Sequence, residues 1–283
     1  MIVSFHPCFE ADQNIICAGR SPNHTDLAAI KAADAVILSQ GCYESVYKMA
    51  RNNCPNVFPN YDAKFKYPGK IGQSQLFSQI NVPVPETEIF HNTDAFYTSY
   101  GKAPGKQHFK FPLVFKFDWG DQGTNVFLIH SLSELEGLLE KAGRFEKTGQ
   151  KGFLIQEYIP AQNRSLRVVI IAQKIVSYWR VQKNSDTFCS NLGQGAVIDA
   201  DSDPELQAKA ALSAKNFCKK TWINLAGFDF LFSSDAEIKT PLFLEINYFF
   251  GRRGLGGSET FYGLLNQEII KWIVSLGLRL DKQ

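Results

Sequence analysis

Two carboxylates and an amide near the end of the chain have the side-chain chemistry of a magnesium site. Glu245 and Asn247 alternate within the apolar segment 243–248, so they share one face if that segment is a strand. Asp229 interrupts a second apolar segment, and it joins them if the two segments pair as a hairpin. Oxygen ligands without nitrogen or sulfur are typical of Mg²⁺. The alternative is that arginines or solvent at a sheet edge hold the two carboxylates.

A lysine within an apolar strand, and the glycine-containing loop after it, could hold a phosphate. Lys116 lies within the expected strand 111–118, and a buried ammonium group requires an anion. The loop 120–125, which includes Gln122 and Gly123, can offer backbone N–H groups to phosphate oxygens. Glycines also occur in plain hairpins. The chain has neither the P-loop pattern nor the protein kinase signatures.

A third segment could bind the edge of an adenine ring through its backbone. Gln156, Glu157, Tyr158 and Ile159 end the expected strand 153–159. Extended residues with exposed peptide groups can form such hydrogen bonds, although an ordinary strand end has the same appearance.

Apolar runs alternate with helical stretches along the whole chain, which predicts an α/β (α+β) fold. Residues 1–66 are expected to form a short α/β layer with parallel strands. Ser131 with Glu134 predicts a capping box, and Asp203 before Pro204 predicts an N-cap. Strands are expected at 35–39, 111–118, 126–129, 153–159, 166–172, 175–181, 226–232 and 242–248, and helices at 25–33, 42–51, 72–80, 204–220 and 259–276.

The composition argues against several classes of partner. The formal net charge is +2, which gives no reason to expect nucleic acid or an anionic membrane. No run of 18 apolar residues occurs, and the first residues do not resemble a signal peptide. The six cysteines form no Cys-x-x-Cys pair, so free thiols in a cytoplasmic protein are expected. The oligomeric state, a homo-oligomer included, is left open.

The order of the motifs resembles the ATP-grasp superfamily. Lys70 before a helix is followed by Val-Pro-Glu-Thr at 84–87, by Lys116 with its loop and by the 156–159 segment. Two arginines come next, Arg167 and Arg180. The last are the residues with metal-ligand chemistry, which we call the metal-type residues: Asp229, Glu245 and Asn247. This order is most similar to the branch that holds ribosomal-protein glutamate ligases and glutathione synthetases. The resemblance covers about residues 65–275 and rests on the order and spacing of the motifs.

The resemblance implies two lobes that hold ATP between them, at 67–156 and 157–283, after the short layer at 1–66. It implies that Lys70 and Lys116 contact the nucleotide phosphates, and that the 120–125 loop, with Gln122 and Gly123, is a mobile lid. Glu157, Tyr158 and Ile159, after Gln156, would carry the adenine.

The resemblance also implies the catalytic and metal residues. Arg167, Arg180 and Asn191 would lie beside the transferred phosphate. Asp229, Glu245 and Asn247 would bind two Mg²⁺ ions, with Glu245 bridging them, and Mn²⁺ could substitute.

The implied activity is the joining of a small-molecule or peptide carboxylate to an amine through an acyl phosphate, with release of ADP and phosphate. A kinase that phosphorylates a small molecule and a non-catalytic ATP-binding regulator are the alternatives. Ser165 and Cys189 stand where relatives often carry Asp and Arg, which puts nucleotide and substrate details in question. Arg252 and Arg253, in the turn after the metal residues, are predicted to bind an anionic substrate.

Overall fold

The first 58 residues of the computed structural model contain a parallel sheet, as the alternation of the sequence predicts. The structure describes residues 1–17, 19–101, 110–120, 125–183 and 192–280. Within the first of these layers the strand order is β2–β1–β3–β4. The elements are β1 (Ile2–Ser4), β2 (Gln13–Asn14), α1 (His24–Ala32), β3 (Ala35–Ile37), α2 (Glu44–Asn53), β4 (Val57–Phe58) and α3 (Asp62–Lys66).

A second, antiparallel sheet follows a long helix and has the order β5–β8–β6–β7. Its elements are α4 (Gly69–Ile80), β5 (Thr87–Phe90), α5 (Thr93–Tyr100), β6 (Leu113–Phe117), β7 (Val126–Ile129), α6 (Leu132–Glu146) and β8 (Phe153–Glu157). Phenylalanines of β6 and β8 pack under α5 and α6 in one apolar core. Ser131 accepts from the Glu134 N–H as predicted, but the Glu134 carboxylate accepts from the His130 N–H, so the capping box is only half formed.

The third sheet is antiparallel with the order β11–β10–β9–β12–β13. Its elements are β9 (Arg164–Ile171), β10 (Lys174–Val181), β11 (Val197–Asp199), α7 (Pro204–Thr221), β12 (Leu225–Leu231), β13 (Leu242–Asn247) and α8 (Gly257–Ser275). Asp203 is the N-cap of α7 and Pro204 begins the helix, as predicted, but the Asp203 side chain accepts no hydrogen bond from the first turn. The Asp203 carboxylate pairs instead with Arg164 at 2.5 Å.

The first and third sheets share their hydrophobic cores. Strands β1 and β3 contribute to the same two clusters as β9 and β12, and α8 contributes to one of the two. Phe261, Leu265 and Ile269 of α8 are fully buried against both sheets, and each such side chain stabilises the packing by about 1.5–3 kcal/mol. The parallel layer is therefore fixed against the sheet that carries the metal-type residues. None of the helices in the described ranges is both long and apolar enough to cross a bilayer.

Candidate active site

A row of charged side chains crosses the third sheet. Arg167 on β9 lies opposite Asp229 on β12, and Asp229 lies opposite Glu245 on β13. The Arg167 guanidinium donates to both Asp229 oxygens at 2.5 and 3.1 Å, and Arg180 approaches Oδ1 at 3.0 Å. The Asn247 amide donates to Asp229 Oδ2 at 3.1 Å. The predicted hairpin between the two carboxylate-bearing segments is confirmed.

Burial and neighbouring charges shift the pKa values of the two carboxylates in opposite directions. Burial by itself would raise the pKa of Asp229, but Arg167 and Arg180 outweigh it and hold that pKa below its usual value. Burial, and then the charge of Asp229, raise the pKa of Glu245. Among the described residues, no side chain forms a hydrogen bond or ion pair with the Glu245 carboxylate. Glu245 is thus the carboxylate of the row that gains most from a bound cation.

Two small residues make room for the arginines. Ser165, one of the departures from the family pattern, accepts hydrogen bonds from Arg180 Nε and Nη2 at 3.2 and 2.8 Å. A Cβ at Gly227 would lie 3.0 Å from Arg167 Nη1, so glycine leaves room for this guanidinium. Gly227 was missed at the sequence level, where its only signal was an isolated glycine within an apolar strand.

The second sheet contributes a buried lysine, as predicted. Lys116 on β6 is 8% exposed and faces away from the phenylalanine core. Its Nζ donates to Gln156 Oε1 at 2.6 Å, and Gln156 Nε2 donates to Thr87 Oγ1 at 2.7 Å. The amide of Gln156 therefore fixes the lysine from the neighbouring strand.

Lys70 lies in the first turn of α4 and not before the helix, because α4 begins at Gly69, three residues earlier than expected. Its Nζ donates to the Gly120 carbonyl at 2.8 Å. Asp118, which the sequence analysis did not single out, accepts the Ile71 N–H at 2.8 Å and so caps this helix from the end of β6. The lysine is thereby held at the start of the glycine-containing loop.

Gln73 joins that helix to the strand of the metal-type residues. Its side-chain amide donates to the Ile246 carbonyl at 2.9 Å and accepts the Ile246 N–H at 2.7 Å. Ile246 lies between Glu245 and Asn247 on the edge strand, so the pairing holds both of them in register with α4. The charges of Lys70 and Lys116 also lower the pKa of Glu245, against the larger effect of burial.

The predicted adenine segment leaves the sheet earlier than expected. β8 ends at Glu157, and Tyr158 and Ile159 continue as half-buried, non-strand residues towards the third sheet. The Glu157 N–H donates to the Glu86 carbonyl at 2.9 Å. Gln122, Gly123, Asn191 and Cys189 lie outside the described residues.

The two arginines predicted to bind substrate point to different places. The Arg252 guanidinium is half-buried and lies over the Tyr262 ring at 4.5 Å. Arg253 is exposed, and its Nη1 donates to the Leu192 carbonyl at 3.5 Å. Arg252 therefore packs against an aromatic ring, whereas Arg253 is exposed.

The metal-type residues on the third sheet have ligand atoms that fit Mg²⁺ when phosphate is also bound. No group of three or more His, Cys, Asp and Glu side chains within the described residues could hold a metal ion by itself. Mg²⁺, however, commonly takes one or two carboxylates together with phosphate oxygens and water. Glu245, Asn247 and Asp229 offer such oxygens on adjacent strands, although a metal at Asp229 would have to share that carboxylate with the arginines.

Comparison with known proteins identifies the family. Residues 69–273 match the RimK-like ATP-grasp domain, so the chain belongs to this ATP-grasp family, and the resemblance seen in the sequence is confirmed. A "Probable alpha-L-glutamate ligase" of Pectobacterium carotovorum is 26% identical over 195 residues, which cover 69% of this chain and 58% of that protein.

The solved structures agree on the fold. A RimK domain ATP-grasp protein from Sphaerobacter thermophilus superposes with a TM-score of 0.61 at 14% identity, covering 94% of this chain and 98% of that one. N5-carboxyaminoimidazole ribonucleotide synthetase from Thermotoga maritima gives 0.61 at 16% identity, covering 99% and 69%. The expected α/β ATP-grasp fold is confirmed by these likenesses.

Proposed function

We propose that the protein is an ATP- and Mg²⁺-dependent carboxylate–amine ligase. The observation that carries the proposal is the convergence of cations from separate elements on Glu245. Lys70 and Lys116 act on its pKa from α4 and β6, and Arg167 acts from β9. Such a cluster can neutralise a polyphosphate. The name of the Pectobacterium relative supports ligation as the chemistry, although the matched region spans 58% of that protein.

In this proposal the nucleotide lies between the second and third sheets. Lys70 and Lys116 bind its phosphates, with Gln122 and Gly123 of the loop, and the segment Gln156–Ile159 binds the adenine. Arg167, Arg180 and Asn191 bind the phosphoryl group in transfer. The division into units at 1–66, 67–156 and 157–283, and a cytoplasmic location, belong to the same proposal.

Asp229, Glu245 and Asn247 are the residues that would hold Mg²⁺, whose chemistry is to neutralise the charge that develops on phosphate oxygens. Arg167 and Arg180 would also neutralise this charge. Arg167 and Arg180 are fixed by Asp229 and Ser165, so they need little rearrangement to stabilise a phosphoryl group.

In this proposal the reaction has two steps. An oxygen of the substrate carboxylate bonds to the γ-phosphorus of ATP, the bond to the bridging oxygen breaks, and ADP leaves. The amine nitrogen then attacks the carbonyl carbon of the acyl phosphate, inorganic phosphate leaves, and the nitrogen loses a proton. The protein contributes positioning and charge stabilisation, and no covalent enzyme intermediate is required.

The test is a screen of amino acids, short peptides and peptide C-termini for Mg²⁺-dependent release of ADP. We expect release only when a carboxylate and an amine are both present, with an amide product of matching mass. A stable phosphorylated product formed without an amine would identify a kinase. Tight ATP binding without ADP release across the whole screen would identify a regulator. Either result would contradict the proposed ligase.

A further inference from the structure

Gln40 is a buried side chain whose hydrogen-bonding capacity is unused. It is 4% exposed, and both Oε1 and Nε2 are buried without a hydrogen-bond partner among the described residues. Leaving a buried polar group unsatisfied costs about 1–3 kcal/mol, which a ligand with a matching donor and acceptor can recover. Such a group in a native protein therefore requires an explanation.

The position of Gln40 in the first sheet is one where ligands bind. In the order β2–β1–β3–β4 the chain passes from one side of β1 to the other, so the order reverses between β1 and β3. The crevice outside the carboxyl ends of parallel strands at such a reversal is a common binding site. His6 follows β1 and Gln40 follows β3 at this edge.

The same edge adjoins the turn after the metal-type residues. The Tyr61 hydroxyl lies 3.0 Å from the Gln40 carbonyl and 3.5 Å from the Tyr248 carbonyl, so it links the two segments. A Cβ at Gly41 would lie 3.7 Å from the ring of Phe249. Gln40 is thus held beside the residue that follows Asn247.

His6 supplies a second donor at this edge. Its ring is buried, and burial, followed by the charge of Arg252, lowers its pKa to about 4, so the ring is neutral at pH 7. Nδ1 accepts the Cys8 N–H at 3.0 Å, which assigns the ring proton to Nε2. The ring meets Tyr262 of α8 edge to face at 5.9 Å.

Arg252 completes the group with a positive charge. Its guanidinium lies over Tyr262, the ring that also contacts His6, and its charge acts on the His6 pKa. The turn that carries Arg252 also carries Tyr248 and Phe249, which contact the Gln40 loop. Contacts therefore link Gln40 to the turn that carries Arg252, and Arg252 to His6 through Tyr262.

We propose that Gln40, His6 and Arg252 form a recognition site for a substrate that has a peptide-type amide next to a free carboxylate that does not react. Gln40 donates a hydrogen bond to the substrate amide through Nε2 and accepts one from it through Oε1. Arg252 and the Nε2–H of His6 bind the carboxylate. The inference rests on the proposed ligase function, because it places a substrate beside the phosphate site. It assigns substrate selection to the parallel layer, whose role could not be predicted from the sequence.

The first experiment compares two buried glutamines. Gln40→Met keeps the size of the side chain and removes the unpaired amide, so the ligand-free protein should melt about 2–4 °C higher. Gln207→Met is the matched control, because Gln207 is buried but pairs with Ser177, Ala200 and Ser202 at 2.8–2.9 Å, and its loss should lower the melting temperature. A lower melting temperature for Gln40→Met would mean that Gln40 is a satisfied structural residue, and it would overturn the proposal.

The second experiment measures binding without turnover. A library of dipeptides with free C-terminal carboxylates is compared with the same library amidated, by thermal shift in the absence of ATP and Mg²⁺. Wild type should bind the free library and not the amidated one. Gln40→Met should weaken binding about tenfold, and Gln207→Met should leave it unchanged. Arg252→Gln should abolish the discrimination between the libraries, which tests the site even if Gln40→Met does not fold.

The results separate this inference from the function on which it rests. Peptide-dependent ADP release that does not depend on Gln40 or Arg252 would overturn the recognition site and leave the ligase standing. Binding of the free library that depends on both residues, without any ADP release, would support the site and contradict the ligase. If neither library binds wild type, the site as proposed is wrong.

Discussion

The second and third sheets bury cations in different ways. On the third sheet, Arg167 and Arg180 both pair with the carboxylate of Asp229, within 2.5–3.1 Å. On the second sheet, Lys116 donates to Gln156, an uncharged amide. The arginines thus have a compensating charge supplied by the fold, and the lysine's hydrogen-bond partner supplies none. Breaking a buried ion pair leaves a charged group without its partner, which costs more than leaving a neutral amide without one.

The two sheets should therefore respond differently to mutation. Mutations in the row of charged side chains on the third sheet should affect both folding and function. Glu245 is the exception, because its carboxylate has the least compensation from neighbouring cations. Changes to Lys116 test function with little effect on folding.

The largest effect is expected for Glu245→Gln. In the proposed site a neutral amide replaces a ligand of a hard dication, so turnover should fall by about 10³, equivalent to about 4 kcal/mol. The fold should be retained, because burial and Asp229 already disfavour the charged form of Glu245. The melting temperature should be equal to that of wild type or slightly higher. The measurement is Mg²⁺-dependent ADP release at saturating ATP.

A buried carboxylate elsewhere provides the control. Glu268 on α8 pairs with Lys271 at 2.6 Å and accepts the Gln173 N–H at 3.2 Å. Glu268→Gln should lower stability and leave ADP release per folded molecule unchanged. Near-normal turnover of a folded Glu245→Gln protein would remove the metal site from the proposal.

The next effect is on stability. Asp229→Asn leaves two buried guanidinium groups without their carboxylate, so unfolding should become easier by about 3–5 kcal/mol. Asp203→Asn breaks the partly exposed pair with Arg164 and should cost less than about 1 kcal/mol. Urea denaturation of the three proteins measures both values. Equal stability of Asp229→Asn and wild type would show that the arginine cluster is compensated by something other than this carboxylate.

The sequence predicted the strands of the site better than its contacts. The alternation around Asp229 and Glu245 was sufficient to place both carboxylates on one face, because side-chain direction in a strand follows from the period of two. The end of β8 was predicted two residues late, since residues 158 and 159 are apolar and aromatic enough to continue a strand. The family could be recognised because the order of motifs survives divergence.

The contacts that position the site depend on residues distant in sequence. Gln73 pairs with the backbone of Ile246, 173 residues away, and no local pattern indicates such a partner. Ser165 appeared as a departure from the family, and only the register of β9 with β10 shows that its hydroxyl receives Arg180. Gln40 had no signal at all, because an unsatisfied amide can be recognised only when its surroundings are known.

A smaller effect, on binding alone, is expected for Lys116→Met. A charged hydrogen bond to phosphate contributes about 1.5–3 kcal/mol, so the dissociation constant for Mg-ATP should rise about 10- to 100-fold. The ligand-free protein should melt close to wild type, because methionine fills the same space and removal of the buried ammonium group offsets the hydrogen bond that Gln156 loses. Thermal melts with and without Mg-ATP measure both quantities.

Lys174→Met serves as the control, because Lys174 is exposed at the start of β10. It should change neither the melting temperature nor the shift produced by Mg-ATP. A large loss of stability in Lys116→Met, together with an intact ATP-induced shift, would make Lys116 a structural residue and would contradict the contrast between the two sheets.

The smallest predicted effect concerns His6, a buried base that stays neutral and whose Nδ1 accepts a backbone N–H. Burial and then Arg252 lower the pKa of His6 from 6.5 to about 4. Because the unfolded chain takes up a proton below pH 6.5 and the folded protein does not, the stability contributed by neutral His6 is complete above pH 6.5. It is lost as the pH falls towards 4, by about 1 kcal/mol at pH 5.5. Urea titrations at pH 7.5 and 5.5 should therefore show a larger loss of stability in wild type than in His6→Gln, which has no titrating ring. Equal losses in the two proteins would mean that His6 becomes protonated in the folded state, and that a base can be buried beside Arg252 in its charged form.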